Sequence, residues 1–276
     1  MRGWWQDLTD LVLPAECGGC GRPRTVLCPQ CRAALTGDVP RRVRPEPEPP
    51  GLPVVHAAAP YEDRVRAALL AHKERGALAL AGPLGVALAG AVRAGLGAGG
   101  RPVLLVPVPS ARWAVRARGH DPVRRIAFAA AAELRRTGTP ARVLALLRQR
   151  RAVADQSGLD ARQRLDNLAG ALEAAPGGVR LLGSGGGRIV LVDDLMTTGA
   201  SLAEAARALR AVLPEKGGFY GRVTTRTTEE AAGRAPMTGV DRQAAVREKK
   251  GANSTEDRVV AAVIATSPVS FEINRN

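Results

Sequence analysis

The stretch RIVLVDDLMTTGAS, residues 188–201, constrains the fold of this chain more than any other. Four apolar residues, Ile189 to Val192, read as a buried strand, and two adjacent acids, Asp193 and Asp194, stand at its end. A hydroxyl-rich turn with Thr197, Thr198 and Gly199 follows, and Ser201 with Glu204 has the spacing of a capping box that starts a helix. In open parallel sheets ligands bind beyond the carboxyl ends of strands, where loops and helix N-termini converge. The paired acids therefore belong to a site.

The rest of the chain supports a sheet of that kind. From VVHAAAPY (54–61) strands and helices alternate, with helices predicted over about 62–75, 77–97, 122–136 and 201–213. Strands are predicted over 103–109, 188–192 and 259–266, with a short apolar piece near 143–147. This order implies an α/β fold with a parallel sheet covered on both faces. Residues 1–36 form a separate Cys-rich module opened by a helix carrying Trp4 and Trp5, and the Pro-rich stretch 37–53 reads as a semi-rigid, extended linker. Residues 54–276 form the main domain, interrupted by an aperiodic segment, 214–257, which reads as an insertion with no assigned role.

All four cysteines lie near the start, as Cys17-Gly-Gly-Cys20 and Cys28-Pro-Gln-Cys31. Two C-x-x-C pairs joined by a short spacer can bring four thiolates to one tetrahedral Zn²⁺, with the glycines permitting tight turns. Such a closed site is structural rather than catalytic, in a compact treble-clef or ribbon-like knob. Reduced thiols or a redox pair are the alternative.

Forty Lys and Arg against 26 Asp and Glu give a net charge of +14, enough to attract phosphates, nucleic acid or acidic lipid. The apolar run 76–92 is mostly Ala and Gly and holds Pro83, which predicts a buried helix rather than a membrane span. With no secretory signal visible at the N-terminus, a cytoplasmic location is expected.

The turn after the acids has its own chemistry. Successive amides from Thr197 through Ala200 to Ser201, the threonine hydroxyls and the positive end of the helix form a phosphate cradle, with Gly199 giving the backbone freedom to wrap the anion. Asp193 and Asp194 would repel that phosphate. They suit a neighbouring vicinal diol, held directly or through Mg²⁺. A diol beside a phosphate is a ribose 5-phosphate.

The segment VLVDDLMTTGAS resembles the signature of type I phosphoribosyltransferases, which bind phosphoribosyl pyrophosphate (PRPP). A cysteine knob ahead of such a domain narrows the resemblance to the competence-associated ComF family. VPVPSARWAVRARGHDP (106–122) is similar to the family's pyrophosphate loop, and DQSGLDARQRLDNLAGAL (155–172) to its Gln…Arg…Asn…Gly-Ala segment. The family pattern Arg-Gly-Phe-Asn-Gln is replaced by Arg118-Gly119-His120-Asp121-Pro122, Leu172 stands where Phe is usual, and the insertion 214–257 is not part of the pattern.

The resemblance implies a type I phosphoribosyltransferase fold behind a zinc module. It implies Asp193 and Asp194 on the ribose hydroxyls, Thr197, Thr198, Gly199 and Ser201 on the 5′-phosphate, and Arg116 and Arg118 on pyrophosphate. Arg148, Arg150, Gln156, Arg164 and Asn167 would lie on a flexible lid. His72-Lys73 on a helix reads chiefly as surface, with a position facing the site as the alternative, and His56, His72 and His120 have no metal-ligand spacing. The expected function is a Mg²⁺-dependent phosphoribosyltransferase with an unidentified acceptor. The alternative is a nucleic-acid-handling protein acting with single-stranded DNA and competence proteins, in which PRPP is sensed.

Overall fold

The computed structural model describes residues 16–96, 101–153, 158, 160–175, 187–213 and 259–272. The Trp4–Trp5 helix, Gln156 and the segment 214–257 lie outside them. The described chain is α/β, with a six-stranded sheet in the order β1-β2-β8-β7-β3-β4. These strands are β1 (Arg41–Val43), β2 (Val55–Pro60), β3 (Val103–Pro107), β4 (Ala141–Val143), β7 (Arg188–Met196) and β8 (Val259–Thr266). All neighbours run parallel except the edge pair β1 and β2. A separate antiparallel ribbon pairs β5 (Leu147–Gln149) with β6 (Leu172–Ala174).

Helices cover both faces, as the alternation of elements requires. One face carries α1 (Pro29–Thr36), α2 (Asp63–Glu74), α3 (Ala81–Leu96) and α5 (Pro122–Arg136), which share a core with Val190, Val192, Ala262 and Ile264. The other carries α7 (Ala200–Arg210), whose Leu202, Ala206 and Leu209 meet Leu191, Ala261 and Val263. Every residue of β8 is buried, so VVAAVIAT forms a strand with no polar face. Short helices α4 (Arg112–Arg118), α6 (Ala161–Leu168) and α8 (Pro268–Glu272) complete the described chain.

The apolar helix expected over 77–97 is a 3₁₀ turn, Leu78–Leu80, leading into α3. By length and mean hydropathy of 1.5, the stretch Leu78–Leu96 would suit a bilayer, yet Leu84, Leu88, Ala91 and Val92 are buried in the core. Small residues let α3 approach α5 closely. A Cβ on Gly85 would lie 2.5 Å from the Cβ of Ala129 and 2.8 Å from the backbone of Ala130. Gly85→Ala should therefore force the helices apart and cost about 1–3 kcal/mol despite its better helix propensity, read as a lower urea midpoint.

The segment expected to be a linker is attached to the domain. Residues 41–43 add an antiparallel strand to the sheet, and the Gly51 carbonyl accepts a 2.6 Å hydrogen bond from Arg210 on α7. The cysteine module is also continuous with the main core: Cys17, Cys28, Cys31 and Leu35 pack in the same cluster as Val65, Leu69 and Leu80.

Candidate functional site

The strand order creates a crevice where the acids lie. After β3 the chain leads through α4 and α5 to β4 on one side, whereas after β7 it leads through α7 towards β8 on the other. Loops that part at neighbouring strands leave a topological switch point, the usual ligand position in an open parallel sheet. The register sharpens this. Pairing of β3 with β7 ends at Pro107 and Val192, with one further bond from the Val108 amide to the Val192 carbonyl, while β7 continues beside β8 to Met196. Asp193 and Asp194 thus stand just past the end of β3, still inside β7 rather than in the turn.

The two acids have different surroundings. Asp194 is buried and accepts a 2.9 Å ion-pair contact from the Lys73 ammonium of α2. Asp193 is only half-buried and lines an open concavity with Leu195 to Leu202; its Oδ1 also accepts from the Asp194 amide at 2.9 Å. Burial and the Asp194 charge push the Asp193 carboxyl well above the ordinary range. Burial alone would raise Asp194 too, but the charge and hydrogen bond of Lys73 hold it below its usual value. Asp194 in turn raises Lys73. Lys73 is therefore a component of the site and not a surface lysine; helical spacing alone did not reveal its distant partner.

The turn behind Asp193 starts its helix by a different device from the one expected. Gly199 is the N-cap of α7, with φ of +75° and no side-chain cap, so the first amides of the helix have no side-chain acceptor. The capping box expected between Ser201 and Glu204 is absent. Glu204 is buried and accepts instead from the Leu172 amide at 2.9 Å and from Arg207 at 2.7 and 2.8 Å. Its attraction to β6 and to Arg207 outweighs capping, which leaves the helix end open to an anion. A Cβ on Gly199 would come within 3.1 Å of Leu52 and 3.3 Å of Pro45, so the segment before β2 walls the turn. Asp193, Thr197, Thr198, Gly199, Ala200 and Ser201 all line this concavity of about 250 Å³, part of it open solvent.

Glu204 also supplies a pH signature. Burial alone would raise its carboxyl, but Arg207 and the Leu172 amide hold it below its ordinary value of 4.5. A depressed folded-state pKa gives stability that is full above 4.5 and fades as pH falls through the folded value. Glu204→Gln should cost about 1–3 kcal/mol at pH 7, and the gap from wild type in urea should shrink at pH 3–4.

The arginines are not gathered in the concavity. Arg116 is exposed on α4. Arg118 is held by Glu74 at 2.8 and 3.0 Å. Arg164 is half-buried on α6. Segment 106–122 is partly helical, as α4, where a loop was expected.

The Arg-rich polar segment after Leu147 runs between the strands of the β5–β6 ribbon, and its α6 is started by a capping box of Asp160 and Gln163. Leu165, Leu168, Val153 and Ala171 pack on Ala200, the first residue of α7. Arg148 pairs with Glu173 across the ribbon at 2.8 Å, and Arg151 donates to the Asn167 and Ala169 carbonyls. This segment thus stands beside the cradle. His72 and His120, widely separated in sequence, meet edge-on with ring centroids 5.9 Å apart.

The four cysteines converge, with their sulfurs all within 4.8 Å of one another. The Cys20 and Cys28 sulfurs are 3.7 Å apart, close to the ~3.8 Å edge that Zn–S bonds of about 2.3 Å give a tetrahedron. Cys17 and Cys20 come from a turn closed by the Glu16–Pro23 bridge. The second pair comes from a helix start: Cys28 is the N-cap of α1 and Cys31 lies in its first turn. Burial would raise Cys17, but amides of Cys28, Gly19 and Cys20 bring its thiol to about 6. Burial and the other sulfurs raise Cys31. The donor set can hold a metal ion such as zinc, and none of the four forms a disulfide.

No protein-family model matches the sequence, and no curated protein matches it. The site's geometry carries the functional reading.

Proposed function

We propose that this chain is a ComF-type protein with a type I phosphoribosyltransferase fold, binding PRPP with Mg²⁺. The observation that carries the proposal is one concavity in which Asp193 faces the side-chain-uncapped start of α7. The cradle of Thr197 to Ser201 suits the 5′-phosphate, and Asp193, on the same concavity, suits the ribose diol. Mg²⁺ would be met by Asp193 on the concavity, with Asp194 beside it engaged by Lys73, and would neutralise charge on the departing pyrophosphate. Cleavage at the anomeric carbon passes through an oxocarbenium-like state, which a neighbouring carboxylate stabilises. The chain's part is to hold the phosphate, orient the diol and limit water with the β5–β6 flap. Transfer then needs an acceptor nucleophile.

Calorimetric titration with Mg²⁺-PRPP and with ribose 5-phosphate tests this. Wild type should bind both. Gly199→Val should lower both affinities about a hundredfold, because its side chain meets Leu52 and the positive φ is strained for valine. Absence of binding by wild type rejects the proposal.

A second reading is favoured by Trp113, which is 55% exposed between exposed Arg112 and Arg116. An aromatic ring flanked by cations suits stacking of a single-stranded nucleic acid base. Binding of single-stranded DNA that weakens with salt and on Trp113→Ala would support it; binding insensitive to Trp113→Ala would count against it.

A further inference from the structure

We propose that His72 and His120 form an acid-sensitive clasp between α2 and the turn joining α4 to α5, shut while both imidazoles are neutral. The inference is independent of the PRPP reading, since neither histidine lines the concavity. His72 is 1% exposed, and its ring meets that of His120 edge-on, with centroids 5.9 Å apart. Each Nδ1 lies against a backbone carbonyl, that of Ala77 at 3.3 Å for His72 and that of Arg118 at 3.1 Å for His120. A carbonyl only accepts, so both Nδ1 atoms must carry the proton. In a neutral ring that leaves Nε2 with a bare lone pair. Both Nε2 atoms are buried, with no hydrogen-bond partner among the described residues.

A proton added to either Nε2 creates a buried cation whose neighbouring acids are already taken. Lys73 and Glu74 follow His72 on α2, Arg118 precedes His120 on α4, and Asp121 follows it at the start of α5. Asp194 acts on His72 from β7. Of these acids, Asp194 is engaged by Lys73, Glu74 by Arg118, and Asp121 by the Arg124 amide. Burial therefore holds the His72 imidazole below its ordinary 6.5, helped by His120, although the Ala77 and Pro122 carbonyls and Asp194 pull the other way. With the folded-state value depressed, the opened segment takes up the proton first. The clasp is at full strength above pH 6.5 and weakens as pH falls through that value towards the folded one. Lys73 is the next residue, so opening also loosens its hold on Asp194.

The experiment reads the imidazole ¹⁵N resonances of the full chain, which has three histidines in all, assigned by replacing each in turn with Asn. At about pH 7.5 both His72 and His120 should be Nδ1–H tautomers, and His72 should titrate below 6.5. Amide hydrogen exchange, corrected for its intrinsic rate, should quicken about fivefold or more over residues 70–77 and 118–122 between about pH 7.5 and 5.5. His72→Asn keeps a donor for the Ala77 carbonyl but cannot titrate, and it should cut that rise to under about twofold. Should His72→Asn not fold, the wild-type tautomers, titration and exchange decide the matter by themselves. An Nε2–H tautomer in either ring, titration of His72 without faster exchange in both segments, or a full rise retained in His72→Asn overturns the clasp.

Discussion

Removing the metal ion that the cysteine cluster can hold should lower the melting temperature by more than about 10 °C. The reason lies in what the cysteines touch. Cys17, Cys28 and Cys31 are buried in the cluster that also holds Val65 and Leu69 of α2 and Leu84 of α3. A Cβ on Gly18 would fall 2.5 Å from Leu80, and one on Gly19 would fall 3.2 Å from the Arg64 carbonyl. The knuckle therefore packs flush on the start of α2 and the turn before α3. Without an ion the three buried thiols must reprotonate in that interior, and like-charge repulsion between any remaining thiolates opens it. A loss of about 5 kcal/mol would move the transition of a domain this size by 10 °C or more, since each kcal/mol is worth about 2–4 °C. Chelation followed by a colorimetric zinc assay and a thermal melt measures both release and effect. Full release with an unchanged melt would show that the cysteines do not hold this part of the core.

Asp193→Asn and Asp194→Asn should part company. Asp193 fronts the concavity and has no cationic ion-pair partner among the described residues, so its replacement should cost less than about 1 kcal/mol of stability and about a hundredfold in ribose 5-phosphate affinity. Asp194 is the buried partner of Lys73, and Asp194→Asn leaves an ammonium without its counter-charge. A fully buried broken pair costs about 3–5 kcal/mol, but Lys73 is a third exposed and can turn to water, which reduces the expected loss to about 1–3 kcal/mol. Urea denaturation read beside calorimetry separates the two effects. Similar stability losses in both variants would mean that the acids are packing partners alike and that neither is reserved for ligand.

The elements that the sequence revealed are those whose period is long. The helix expected over 122–136 is α5 over the same residues, and the strand expected over 259–266 is β8. Both faces of β8 are buried, so its uninterrupted apolar run was an adequate signal. Strands β1, β4, β5 and β6 have three residues each, too few to display alternation, and so 37–53 read as linker and 143–147 as an undivided apolar piece. Helix α4, RWAVRAR, is under two turns and buries only Ala114, which leaves no stripe to recognise.

At the site, local signals carried the turn but not its partners. Thr197 to Ser201 follow the acids directly and were visible as a unit. Lys73 meets Asp194 from a helix far earlier in the chain, a contact that no spacing encodes. Glu204 misled for the complementary reason. Its position relative to Ser201 fits a cap, but the Leu172 amide and Arg207 offer a buried carboxylate more donors.

Strand β8 lies between β2 and β7 yet is contributed by the last part of the described chain. Until residues 259–266 leave the ribosome, both flanking strands have a bare, hydrogen-bonding edge, and the long segment 214–257 prolongs that interval during synthesis. Completion of the sheet waits on these distant pairings, which form slowly and leave both edges open to intermolecular strand addition meanwhile.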